Sequence, residues 1–172
     1  MTDPFATLGL PARFDLSPGE IEQRVRDLQK ALHPDRFVGR PAQERRMSLS
    51  KAVEVNEAHR TLRDDLSRAR ALLSVRGHAV SDAQPADPSF LMEVMERREA
   101  LSDARGDAAK VRELAVDVTR EYQRARERIA QLFDQGDDLT AISDVLGRMR
   151  YYRRFLDEVE AIEEAAIAAG AP

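Results

Sequence analysis

The chain has 172 residues, no cysteine, no tryptophan and a formal net charge of −4, enough length to bury a core in one large domain or two small ones. Lacking a thiol, it forms no disulfide, offers no cysteine nucleophile and holds no cysteine-ligated zinc or iron–sulfur cluster. Residues 1–76 hold 14 basic and 11 acidic side chains, a surplus of +3, which leaves −7 for the rest. That asymmetry suits two surfaces with different partners, the basic one favouring an acidic protein patch; it is too small, and too poor in stacking groups, to favour nucleic acid. Ala, Arg, Glu and Leu dominate and aromatics are few, a composition for helices.

In chain order, the first twenty residues contain acids and prolines but neither an apolar signal core nor an Arg-rich presequence, and no later segment reads as a membrane span, so the expected location is the cytoplasm. Ile21, Val25, Leu28 and Leu32 then recur at helical spacing and predict a helix buried on one side. Ser17 is placed to cap it, Pro18 suits its first position, and Glu20 completes the reciprocal capping pattern. Pro34 ends it, because proline has no N–H and disfavours the α conformation at His33. Arg26, Lys30 and His33 cluster on the side opposite the apolar stripe, so a basic strip leads to an exposed loop, His33-Pro34-Asp35.

After RFVGRP, residues 42–63 read as a helix with Ala52, Val55, His59 and Leu62 facing inward, and residues 66–75 as another carrying Ala69, Leu72 and Leu73, with Gly77 placed to stop it. The stretch GHAVSDAQPADP is rich in small residues and turn formers and reads as a connection between domains. Three further helical patterns suggest an antiparallel bundle: Phe90, Val94 and Leu101; then Val111, Leu114, Val118, Tyr122, Ala125, Ile129 and Leu132; then Val145, Met149, Tyr152, Leu156 and Val159. RGD at 105–107 and DQGDD at 134–138 are short enough only for helix reversals, which argues against an adhesion signal, and the final AAGAP is expected to fray. Leu91, Met92 and Met95 fall off the first bundle stripe, beside Glu96 and Glu99, and Tyr151 falls off the third. Periodicity alone leaves them open between a wide core face and an exposed contact patch.

The order of these motifs resembles a known family. DPFATLGL, the basic amphipathic helix, the HPD loop and the helix bearing NEAHRTLRD resemble the J domain of DnaJ-type co-chaperones. FATLGLPARFDL, LLSVRG and PSFLMEVMERREAL resemble the HscB family, the specialised J proteins of iron–sulfur cluster assembly, over nearly the whole chain. The resemblance implies an all-α protein: a J domain over residues 1–76, built on an antiparallel helical hairpin with its HPD loop, a linker over 77–88, and a C-terminal three-helix bundle over 89–172. It implies that Arg26, Lys30, His33, Pro34, Asp35 and Arg36 dock on an HscA/DnaK-class ATPase and stimulate it. It further implies that Leu91, Met92, Met95, Glu96, Glu99 and Tyr151 hold an IscU-type scaffold.

His59 stands where J domains usually place an aromatic ring, so a packing role is expected of it. Family members in eukaryotes carry an N-terminal cysteine-rich metal segment that this sequence lacks, which points to the bacterial type. The expectation is an adaptor that needs no cofactor and performs no covalent chemistry. A general J-protein for unfolded clients is the first rival. An enzyme is the second, and it is opposed by the absence of a glycine-rich phosphate loop and of a repeated carboxylate-plus-histidine helix motif.

Overall fold

The computed structural model describes residues 3–78, 87–136 and 138–168. Among them every regular element is helical, and the chain divides into two compact units, residues 1–80 and 81–172. The first unit opens with α1 (Pro4–Leu8), too short to stand alone in water. It is held by its ends and its core face. The Asp3 carboxylate accepts from the N–H groups of Phe5 and Ala6, and Phe5 and Leu8 are buried. Gly9 closes the helix at φ +64°, and a side chain there would meet the Arg24 guanidinium at 2.6 Å. The same arginine donates from Nε to the Leu8 carbonyl at 2.6 Å, tying α1 to the next helix.

That helix, α2 (Pro18–Ala31), begins as its sequence predicts. Ser17 Oγ accepts from the Glu20 N–H at 3.1 Å, and the Glu20 carboxylate accepts from the Ser17 N–H at 2.9 Å. Hydrogen bonding from Ser17 holds the Glu20 carboxyl below its ordinary pKa. Ile21 and Val25 are buried, while Leu28 and Leu32, nearer the loop end of the hairpin, are only half-buried. A 3₁₀ turn (Pro34–Phe37) leads to α3 (Ala42–Arg63), which returns along α2. Val55, Ala58 and Leu62 are its buried apolar positions, and Ala52 and His59 are half-buried at the margin. His59 Nε2 and Glu22 Oε1 share a hydrogen bond of 2.9 Å that lowers the glutamate's pKa, so this histidine joins α3 to α2.

Asp64 caps α4 (Asp65–Val75) by accepting from the Ser67 N–H at 2.8 Å. Ala69, Leu72 and Leu73 fill the core as expected. Arg68, on the same face as Leu72, does too. Its guanidinium donates to the carbonyls of Leu62 at 2.6 Å and Phe14 at 2.9 Å, pairs with Asp65 at 3.2 Å, and lies over the Phe14 ring.

The second unit contains α5 (Pro88–Asp103), α6 (Ala108–Gln135) and α7 (Leu139–Ala168). Most of the sequence read as linker, residues 79–86, lies outside the described residues. Its last two members belong to the helix: Asp87 caps α5 and Pro88 opens it. RGD is a helix reversal in which Gly106 sits at φ +94° and Asp107 caps α6 by accepting from the N–H groups of Ala109 and Lys110. At the second reversal Asp138 accepts from the N–H groups of Thr140 and Ala141, while residue 137 and the expected frayed end, residues 169–172, lie outside the described residues.

Helices α6 and α7 make the main pairing of the unit. On α7 the stripe differs from the one expected: Val145 and Leu156 are half-buried, whereas Ile142, Leu146, Met149, Tyr152, Phe155 and Val159 are buried. The apolar face turns along this helix, so a stripe at one fixed azimuth misses part of it. Each fully buried aliphatic or aromatic side chain here contributes roughly 1.5–3 kcal/mol relative to leaving it in water.

Candidate functional site

Two exposed features stand out, one in each unit. The first is the end of α2. His33 has extended backbone angles and caps the 3₁₀ turn, with Nδ1 accepting from the Asp35 N–H at 3.3 Å. Pro34 takes the first position of that turn, where its fixed φ suits it and its missing N–H is not needed. The Asp35 carboxylate projects into solvent, 85% exposed, with Oδ2 3.4 Å from His33 Nδ1. Arg36 follows, exposed, and its N–H closes the turn on the His33 carbonyl at 3.0 Å.

The loop is seated from below. Ser48 on α3 donates its hydroxyl to the Leu32 carbonyl at 3.0 Å, holding the end of α2 against the returning helix. Arg26 and Lys30 are both exposed, and Arg26 donates to the side chain of its own helix neighbour Gln23. The arrangement therefore presents an exposed carboxylate, on a turn bonded through its base to α3, at the end of a row of cations. That geometry accepts a charge-assisted hydrogen bond from a partner cation.

The second feature lies on α5, which has only two buried residues, Phe90 near its start and Leu101 near its end. Between them Val94 is half-buried, and Leu91, Met92 and Met95 are 49%, 64% and 71% exposed. Glu96 and Glu99 are exposed beside them. For these residues the structure decides the question periodicity left open, in favour of an outward apolar patch.

Tyr151 stands between the two alternatives. It lies off the main stripe of α7 but is half-buried, because its ring packs edge-on against Phe90 at 5.6 Å and its hydroxyl donates to the Val94 carbonyl at 3.3 Å. Burial raises its phenol pKa. It thus ties α7 to α5 at the edge of the patch.

Arg148 reinforces that tie and was not singled out from the sequence. Its guanidinium lies 4.6 Å from the Phe90 ring centre and pairs with Asp144 at 3.3 Å and with Asp87 at 3.7 Å. Arg68 also went unnoticed, although a charged residue one turn before Leu72 on an apolar face was a legible signal. No cluster of His, Asp or Glu able to hold a metal ion, and no helix long and apolar enough to cross a membrane, occurs among the described residues.

A helical unit carrying HPD at the end of a basic hairpin, followed by a helical unit with its own core, is the architecture of a J-domain protein with a C-terminal helical domain. The family model described as the HSCB C-terminal oligomerisation domain matches residues 86–166. A co-chaperone HscB homologue from Bordetella petrii is 35% identical over 165 residues, covering 95% of this chain and 97% of that one. Chaperone HscB from Vibrio cholerae superposes with a TM-score of 0.83 at 30% identity, over 95% of this chain and 99% of its own. The crystal structure of human co-chaperone HscB gives 0.85 at 27% identity, over 95% and 83%. The chain belongs to the HscB family, co-chaperones of iron–sulfur cluster assembly.

Proposed function

We propose that this protein brings an IscU-type scaffold to an HscA/DnaK-class ATPase and stimulates that ATPase, acting as an adaptor and not as an enzyme. In this reading the J domain spans residues 1–76, residues 77–88 connect, and residues 89–172 form the client-binding bundle. Arg26, Lys30, His33, Pro34, Asp35 and Arg36 face the ATPase, while Leu91, Met92, Met95, Glu96, Glu99 and Tyr151 face the scaffold. The cytoplasm is the proposed location.

The observation that carries the proposal is the exposed Asp35 carboxylate on a turn fastened to α3, at the end of a basic strip. Such a group can reach a cation on the ATPase without any change in its own fold. The α5 patch supplies the other half, since contiguous exposed apolar surface with a charged border suits a protein contact.

ATPase assays with and without scaffold test both surfaces together. His33→Gln or Asp35→Asn is expected to leave the melting temperature unchanged and to abolish stimulation, whereas Arg26→Ala and Lys30→Ala give graded, salt-dependent losses. Full stimulation by both loop variants overturns the proposal. A general J-protein for unfolded clients is separated by scaffold selectivity: binding to unfolded chains with no preference for folded scaffold favours that alternative.

A further inference from the structure

We propose that Leu49 and Val53, on the outer face of α3, extend the ATPase-docking surface and set which DnaK-class partner the J unit prefers. The inference rests on the reading that the HPD end of the hairpin docks on such an ATPase. Both side chains are large, aliphatic and open to solvent, 66% and 51% exposed. They stand four residues apart on one helix, so they share a face.

Two bonds across the hairpin fix what lies beside that face. Gln29 on α2 donates to the Asn56 side chain on α3 at 3.2 Å, and Glu22 meets His59 at 2.9 Å. Asn56 follows Val53 by three residues and Leu49 by seven, which places all of them within roughly 60° around α3. On α2, Arg26 precedes Gln29 by three residues and falls about as close to it. Because Ser48 holds the Leu32 carbonyl, its neighbour Leu49 comes level with the HPD turn. One continuous surface therefore carries the basic strip of α2 and an apolar pair on α3.

The fitting partner is an ATPase face with acidic groups around a recess sized for aliphatic side chains. Charge on α2 steers any acidic surface, whereas a dry apolar contact depends on shape. The pair thus supplies discrimination that the cations cannot.

The test compares the full chain with its Leu49→Gln/Val53→Gln double variant, measuring ATPase stimulation against concentration for an HscA-type and a general DnaK-type chaperone. The exposed positions predict an unchanged melting temperature. The half-maximal concentration is expected to rise about tenfold on the HscA-type partner and far less on the other, with the same maximal stimulation. Superimposable curves overturn the inference, and an equal rise on both partners overturns its selectivity. If Asp35→Asn abolishes stimulation while the double variant behaves as wild type, only this inference falls. If the unmodified chain stimulates neither ATPase, the docking reading fails and this inference with it.

Discussion

Arg68, only 3% exposed, replaces water with main-chain carbonyls from two segments far apart in the sequence, at Phe14 and at Leu62. A buried guanidinium is tolerated only when its donors are met, and here a carboxylate and an aromatic face complete the set. Removing it takes the guanidinium donor from the Leu62 carbonyl and leaves the Phe14 carbonyl with the Leu16 N–H alone. Arg68→Ala is therefore expected to cost on the order of 3 kcal/mol in chemical denaturation, and Arg68→Lys, which lacks the fork, recovers only part of that. By contrast His33 and Asp35 stabilise little that the rest of the unit depends on, and their substitution is read in ATPase assays alone. This division between buried and exposed charge follows from desolvation: an ion kept in the core is structural, and one left in water at a loop is available to a partner.

At the scale of the helix, α5 separates packing from recognition. It is anchored near its ends by Phe90 and Leu101, with Arg148 and Tyr151 reaching it from α7, and its middle turns outward. The variant Leu91→Ala/Met92→Ala/Met95→Ala is thus expected to melt close to wild type while scaffold binding drops, by about 1 kcal/mol or more for each anchor lost. Calorimetry beside a pull-down decides it, since core residues would instead lose several kcal/mol together.

Much of this layout was legible in the sequence. Ser17 with Glu20, Pro18, Pro34 and Gly106 mark helix boundaries through strictly local chemistry, which a sequence displays directly. What escaped depends on neighbours from elsewhere in the chain. Tyr151 is drawn inward by Phe90 and the Val94 carbonyl, and Ile142, Leu146 and Phe155 lie on a face that rotates along α7. Neither effect exists until the helices meet.

Across the whole molecule, the chain has two compact units, one bearing a basic hairpin and the other an apolar patch with an acidic border. Covalent connection matters because it converts a second binding event into an intramolecular one at high effective concentration. Mixing the Asp35→Asn variant with the Leu91→Ala/Met92→Ala/Met95→Ala variant is therefore expected not to restore the scaffold-dependent part of ATPase stimulation, although the mixture contains both intact surfaces. Full recovery by the mixture would show that the two surfaces act independently.

The patch on α5 is also open to peroxide, through two exposed methionines. Without cysteine, sulfur chemistry falls to methionine: Met92 and Met95 stand in solvent on α5, Met47 is exposed on α3, and Met149 is sealed in the core. Conversion to sulfoxide makes a flexible apolar side chain polar, and methionine sulfoxide reductases reverse it. Mild peroxide treatment is expected to weaken scaffold capture without unfolding the bundle, and reductase treatment to restore it, as peptide mass spectrometry run beside binding assays would report. A protein that works alongside iron–sulfur chemistry would thereby carry oxidisable sulfur on a patch where damage interrupts scaffold capture and spares the fold.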